Sequence, residues 1–195
     1  MGSVAQEQNR LAEAARLYRE SLSLYREIQY QHGIGKALNY LGQVAYLQGD
    51  YSSAQELIRE SCDLNREAGN RRALADSLKQ LGNVARESGD VQGAKNNYQE
   101  ALRLTQELAA EQLTLAVLLE TAVLLQQNGE PTNACLLLAY IAAHPSAGQE
   151  LAESAQTALA QQTAVPQTAY QQQAQLLTLE AAVQLALGQT AVSLS

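Results

Sequence analysis

Apolar residues in this chain recur three and four positions apart, the spacing that lines one face of an α-helix. Ile34, Ala37, Leu38, Leu41, Val44 and Ala45 form one such stripe. Ala54, Leu57, Ile58, Ser61, Cys62 and Leu64 form the next, with Gly49-Asp50 between them and Gly69-Asn70 after. Glycine suits the left-handed residue that closes a helix, and Asp or Asn can accept the first amides of the helix that follows. The pattern therefore predicts two helices joined by a short turn. It returns with Leu78, Leu81, Val84 and Ala85, then Gly89-Asp90, then Ala94, Tyr98, Ala101 and Leu102.

The return is a repeat of 40 residues. LGQVAYLQGDYSSAQELIRESCDLNRE begins at Leu41 and LGNVARESGDVQGAKNNYQEALRLTQE at Leu81. A first copy begins in the same phase at Gly2, and a degenerate one, TAVLLQQNGEPTNACLLLAYIAAH, begins at Thr121. Gly49, Gly89 and Gly129 align with Asn9, and Ala14, Ala54, Ala94 and Ala134 align without a gap. One hairpin cannot bury its whole apolar surface, so neighbours must stack. The expected fold is all-α: a right-handed superhelix, or α-solenoid, of antiparallel helix hairpins. Gly42 and Gly82 fall inside first helices, where glycine costs about 1 kcal/mol against alanine. Close helix approach, with Ala54 and Ala94 facing them, would justify that cost.

Leu38-x-x-Leu41-Gly42-x-x-Ala45 followed by Ala54-x-x-x-Ile58 resembles the tetratricopeptide (TPR) signature, with Leu where Trp is usual and Ala where Tyr is usual. Leu78-x-x-Leu81-Gly82-x-x-Ala85 and Ala94-x-x-x-Tyr98 repeat it. The usual period is about 34 residues. The longer unit here resembles the repeats behind the ATPase module of STAND or NB-ARC-type signalling regulators. The resemblance spans residues 2–145, without the usual repeat-end proline. It implies a protein–protein interaction or scaffold module, the sensor or partner-binding C-terminal domain of a larger regulator, with a protein or peptide in a concave groove lined by first helices. The alternative is a self-association scaffold stacking through the open N-terminal repeat.

On that implication the groove positions are Lys36, Asn39, Tyr40, Gln43, Tyr46 and Leu47 in the second copy. In the third they are Asp76, Lys79, Gln80, Asn83, Arg86 and Glu87, and in the fourth Ala116, Leu119, Glu120, Val123, Gln126 and Gln127. The residues selected as partner-binding are Lys36, Asn39, Tyr40, Gln43, Tyr46, Lys79, Asn83, Arg86, Leu119 and Val123. Lys79 with Asn83 resembles part of the carboxylate clamp of chaperone-binding members, but Glu120 stands where that clamp takes an amide. Apolar Leu119 and Val123 call for a cover, and the C-terminal helices are the candidates. Tyr18 and Tyr98 share a repeat phase and are read as core.

After Pro145 the register stops. Residues 147–162 predict an amphipathic helix with Leu151, Ala152, Ala155 and Leu159 on one side. Thr163 to Pro166 breaks it, and a further helix runs from about Gln167 to Leu187 with an interruption near Thr178. Its expected buried face is Ala169, Leu176, Leu179, Ala182, Val183 and Leu187. The expected organisation is four repeats over 1–145, capping helices over 146–188, and a frayed tail over 189–195. Leu177 to Gly188 resembles the closing segment of such regulators, which would place Ser195 near a natural C-terminus. Met1 sits in mid-helix phase, which implies excision from a longer chain or a partner over the first helix.

Composition removes other classes. The net charge is −7, and basic residues alternate with acids, as in Arg19-Glu20 and Arg59-Glu60, so direct nucleic-acid contact is not expected. Cys62 and Cys135 have no metal-ligand spacing and read as buried thiols. His32, in the connector, and His144, before Pro145, read as cap or surface residues. No phosphate loop or hydrolase motif occurs. The expectations are no catalytic residues, no metal, no cofactor, no membrane partner and a reducing, cytoplasmic setting.

Overall fold

The computed structural model describes residues 10–161 and 167–189, apart from the side chains of 167–169. The N-terminal part of the first copy, including Gly2 and Asn9, the Thr163–Pro166 break and the tail from residue 190 lie outside the described residues. All regular structure among the described residues is helical. Helices α1 (Leu11–Glu27), α2 (Gln31–Leu47), α3 (Tyr51–Glu67), α4 (Arg71–Glu87), α5 (Val91–Glu107) and α6 (Glu111–Gln127) are each 17 residues long. Shorter helices follow: α7 (Pro131–Ala143), α8 (Gly148–Ala160), α9 (Gln167–Ala174) and α10 (Leu179–Ala186). A helix of this length spans about 25 Å, so a link of three residues can only reverse the chain.

The links from α1 to α7 share one hydrogen-bond design. After α2, the Gly49 amide donates to the Tyr46 carbonyl at 2.9 Å and the Asp50 amide to the Ala45 carbonyl at 2.9 Å. This Schellman pattern needs a left-handed residue, and Gly49 supplies it at φ 78°. Gly69, Gly89 and Gly129 do the same, while Gln29 (φ 52°) and Ala109 (φ 48°) adopt that conformation with a Cβ. The next residue starts the following helix. Asp50 accepts from the Ser53 amide at 3.1 Å, Asn70 from Ala73 at 3.2 Å, and Asp90 from Gly93 at 2.8 Å. His32 falls in the first turn of α2 rather than in a connector, because Tyr30 already begins that helix.

Contacts divide the chain into two compact units, residues 1–97 and 98–195. In the first unit, α2 packs on α1 and α3, and α3 packs on α4. Its core holds Ala14, Tyr18, Leu22, Leu38, Val44, Ile58, Cys62, Leu74 and Leu78. Gly42 lies where α2 meets α3. A Cβ there would fall inside contact range of Ile58 Cγ1, with Ile58 Cδ1 at 3.1 Å and the Ala54 carbonyl oxygen at 3.3 Å. The close approach expected from the sequence is present, but Ile58 rather than the Ala54 methyl occupies the space. Buried polar groups are tied together: Ser61 Oγ donates to the Gly35 carbonyl at 2.8 Å and meets Ser77 Oγ at 3.1 Å, and Asn65 Nδ2 donates to the Ser61 carbonyl at 2.9 Å.

In the second unit, α7 is the centre. Every residue from Ala134 to Ile141 is buried, because α6, α8 and α9 all pack on this helix. Helix α10 packs on α6 and α7, and Gln99 Nε2 donates to the Leu187 carbonyl at 3.4 Å. Ala155, Leu159, Ala182, Val183 and Leu187 are buried, as their periodicity predicts, with Leu151, Ala152 and Leu179 half-buried. Leu176 is not: it is 84% exposed, since it lies in the turn after α9 instead of on a helix face. Tyr170 and Ala174 supply the buried side of α9; the expected contribution of Ala169 lies outside the described side chains.

Candidate partner-binding face

The candidate residues of the first unit lie on α2 and α4, the first helices of consecutive hairpins. Residue 39 of α2 and residue 79 of α4 share a repeat phase, as do 40 with 80 and 43 with 83. The bonds between the helices cross this register by one turn. Asn39 Nδ2 donates to Asp76 Oδ2 at 3.2 Å. Gln80 Nε2 donates to the same oxygen at 3.3 Å, and Lys79 Nζ lies 3.2 Å from Asp76 Oδ1. Asp76 is therefore the hub that holds two amides and an ammonium around one carboxylate. It was among the groove positions in the sequence yet was not selected; the signal was an acid one turn before the repeat-phase partner of Asn39.

Asn39 is only 8% exposed, more deeply set than a groove rim residue, because Asp76 draws its amide inward. Its Oδ1 and the Oε1 of Gln80 are buried without a hydrogen-bond partner. Tyr40 is half-buried and stacks on Tyr18, with centroids 5.0 Å apart and planes at 21°. Lys36 is exposed and its Nζ lies 5.7 Å from the centroid of the Tyr40 ring, within cation–π range. Tyr46 packs by its ring against Tyr51 at 5.8 Å, and Gln43 and Asn83 are half-buried. The Arg86 side chain is 9% exposed, with Nε 3.2 Å from Glu87 Oε1. Tyr18 and Tyr98 are core, at 7% and 1% exposure.

Leu119 and Val123 belong to the second unit. Both are half-buried on α6, the helix on which α10 packs. In that unit the Tyr140 and His144 rings lie 5.2 Å apart, and burial first and Glu111 second push the Tyr140 hydroxyl pKa up. Ser146 Oγ donates to Glu111 Oε2 at 2.7 Å, and the Ser146 amide donates to His144 Nδ1 at 3.2 Å. With its hydroxyl committed to Glu111 and only its amide on the imidazole, Ser146 is not arranged as a nucleophile activated by a base.

Charge is segregated on the first unit. Helices α2 and α4 carry Lys36, Arg71, Arg72, Lys79 and Arg86 against two acids, Asp76 and Glu87. Helix α3 carries two arginines against four acids. The first helices thus carry net positive charge in a chain of net charge −7. Among the described residues, no three His, Cys, Asp or Glu side chains converge to hold a metal, and no helix is long and apolar enough to cross a membrane.

No curated protein matches the chain. Among solved structures, BtubC (BKLC) from P. vanneervenii is similar at 20% identity and TM-score 0.62, over 96% of this chain and 70% of that one. The nearly identical TPR-like repeats described for Podosopora anserina as a kinesin light chain match at 20% identity and TM-score 0.61, over 98% and 94% of the two chains. At these identities the likeness shows the fold: repeated helix hairpins, as in TPR solenoids. The tetratricopeptide repeat profile matches residues 1–67 and 33–107, over half of the 195 residues, and this chain belongs to the tetratricopeptide repeat family.

Proposed function

We propose that the face of α2 and α4 binds an extended segment of a partner protein. TPR repeats form protein-interaction scaffolds, typically non-catalytic, and the proposal is where this chain does so and with what. The observation that carries it is the convergence of Asn39, Lys79 and Gln80 on Asp76, with Lys36 over the Tyr40 ring on α2, on helices whose charge opposes that of the chain. Amide and ammonium groups hydrogen-bond a peptide backbone and its carboxylates, and the Tyr40 ring offers rigid contact area. The forty-residue unit supports placing this array as the partner-binding domain of a larger signalling regulator, in which occupancy relieves autoinhibition. By the same reading, α8–α10 close the second unit, and Leu119 and Val123 are partner-binding positions within that unit.

Selection of a displayed random-peptide library on the intact chain tests the face. Peptides should be recovered whose binding falls about tenfold on Lys36→Ala with Lys79→Ala, with the fold unchanged by circular dichroism. Recovered peptides indifferent to both substitutions would place binding elsewhere. A concentration-dependent dimer in light scattering, abolished by Leu11→Asp, would favour self-association instead.

A further inference from the structure

Asn39 and Gln80 turn their amide nitrogens onto one oxygen, Asp76 Oδ2, at 3.2 and 3.3 Å. That leaves their carbonyl oxygens, Asn39 Oδ1 and Gln80 Oε1, both buried and both without a donor. Native proteins rarely leave buried acceptors unmatched. Asn39 is 8% exposed, so its orphan oxygen belongs to a side chain built into the face, not to a loose surface amide. Within an amide the oxygen and nitrogen are about 2.3 Å apart. Each orphan oxygen therefore lies within about 6 Å of Asp76 Oδ2.

We propose that this pair is a subsite for a side-chain carboxamide, an Asn or Gln of the bound peptide. The inference rests on the reading of the α2–α4 face as the binding surface. A carboxamide NH₂ brings two donors for the two orphan acceptors, and its carbonyl meets the Lys79 ammonium, which stands 3.2 Å from the same carboxylate. A carboxylate would set acceptors against acceptors. A cation would compete with Lys79 for Asp76. The neutral amide alone matches donors to acceptors without adding charge. Both oxygens are screened from solvent, so entry requires the half-buried Gln80 side chain to shift aside and then return with its Oε1 on the ligand's NH₂. Its tether is one 3.3 Å bond to the partly exposed Asp76.

The random-peptide selection on the intact chain provides the test when read position by position. The expected result is one ligand position enriched in Asn or Gln. In a recovered peptide, changing that residue to Glu, Asp or Lys should weaken binding about tenfold, the effect of leaving a buried acceptor unpaired. Gln80→Leu should remove the preference while leaving the rest of the selected motif. Asn39→Leu gives a second readout. Removing an orphan acceptor should leave the unfolding midpoint unchanged or raised while binding falls. Peptides that depend on Lys36 and Lys79 but show no amide position overturn this inference and leave the binding face standing. A failure to recover any peptide dependent on the α2–α4 face overturns both. A solution structure showing an ordered water bridging the two oxygens, undisplaced by the bound peptide, also overturns the subsite.

Discussion

Replacing Gly42 by alanine pits two effects of opposite sign against each other. Inside a helix, Gly→Ala gains about 1 kcal/mol of propensity. Here, however, the new methyl collides with Ile58 Cγ1 and comes within 3.3 Å of the Ala54 carbonyl oxygen. Ile58 is fully buried and β-branched, so its χ1 cannot turn away cheaply. Overpacking of a filled core costs about 1–3 kcal/mol. The net expectation for Gly42→Ala is a loss of about 1 kcal/mol, read as a lower urea midpoint by far-UV circular dichroism. Ile58→Ala alone should cost about 2–5 kcal/mol, but it removes the colliding atom. In that background Gly42→Ala should become neutral or stabilising, giving a coupling of about 1–2 kcal/mol. A higher midpoint for Gly42→Ala alone, or additive effects of the two substitutions, would refute the close crossing of α2 on α3.

Further outcomes are expected at the links and the core. Gln29 and Ala109 occupy the left-handed position that glycine fills in the sister links, so Gln29→Gly and Ala109→Gly should each stabilise by up to about 1 kcal/mol, and Gly49→Ala should do the reverse; equal midpoints would contradict the Schellman geometry. Asn70→Ala removes a cap and should cost about 1 kcal/mol, measured by the same unfolding titration. The Ser53 hydroxyl and amide hold the Asp50 carboxyl below the usual aspartate pKa. Its contribution is therefore present above the ordinary aspartate value and lost as pH falls through the lowered one, and Asp50→Asn, which keeps a cap without titrating, should flatten the acid limb of the stability curve. Cys62 and Cys135 are buried and in no disulfide, and burial pushes the Cys135 thiol up. Both should resist a thiol reagent in the folded chain and react on denaturation; fast labelling of native protein would contradict their packing. Truncation after Ala160 should expose the apolar α7, lowering solubility, because α9 and α10 both pack on it.

The repeat made the fold legible because each 20-residue step carries its own start and stop. Gly49-Asp50 and Gly89-Asp90 are link and cap at once, and α3 and α5 begin where that punctuation ends. Where the punctuation is absent the geometry still persists. Gln29 and Ala109 take the glycine conformation because stacking of neighbouring hairpins fixes the turn, so the tertiary structure overrides local preference at those two residues. Leu176 shows the opposite failure: a helical period was extended through a turn that interrupts it.

The sequence shows the helices and the repeat phase of the proposed binding face but not its bonds. Repeat phase aligns residue 39 with 79, and that alignment selects Asn39 and Lys79 as equivalents. Side chains on adjacent helices meet across a one-turn offset, so Asn39 reaches Asp76 instead, at 3.2 Å. No self-alignment of a sequence reports that offset, because it depends on how successive hairpins step past one another. That bond, and the one Gln80 makes to the same oxygen from within α4, leave both amide carbonyls unmatched. On the proposed reading, recognition chemistry in this array is set at the seam between copies, while the copy itself determines the fold. Two arrays with the same signature residues but a different acid at the phase of Asp76 would share the hairpins and differ in what they bind.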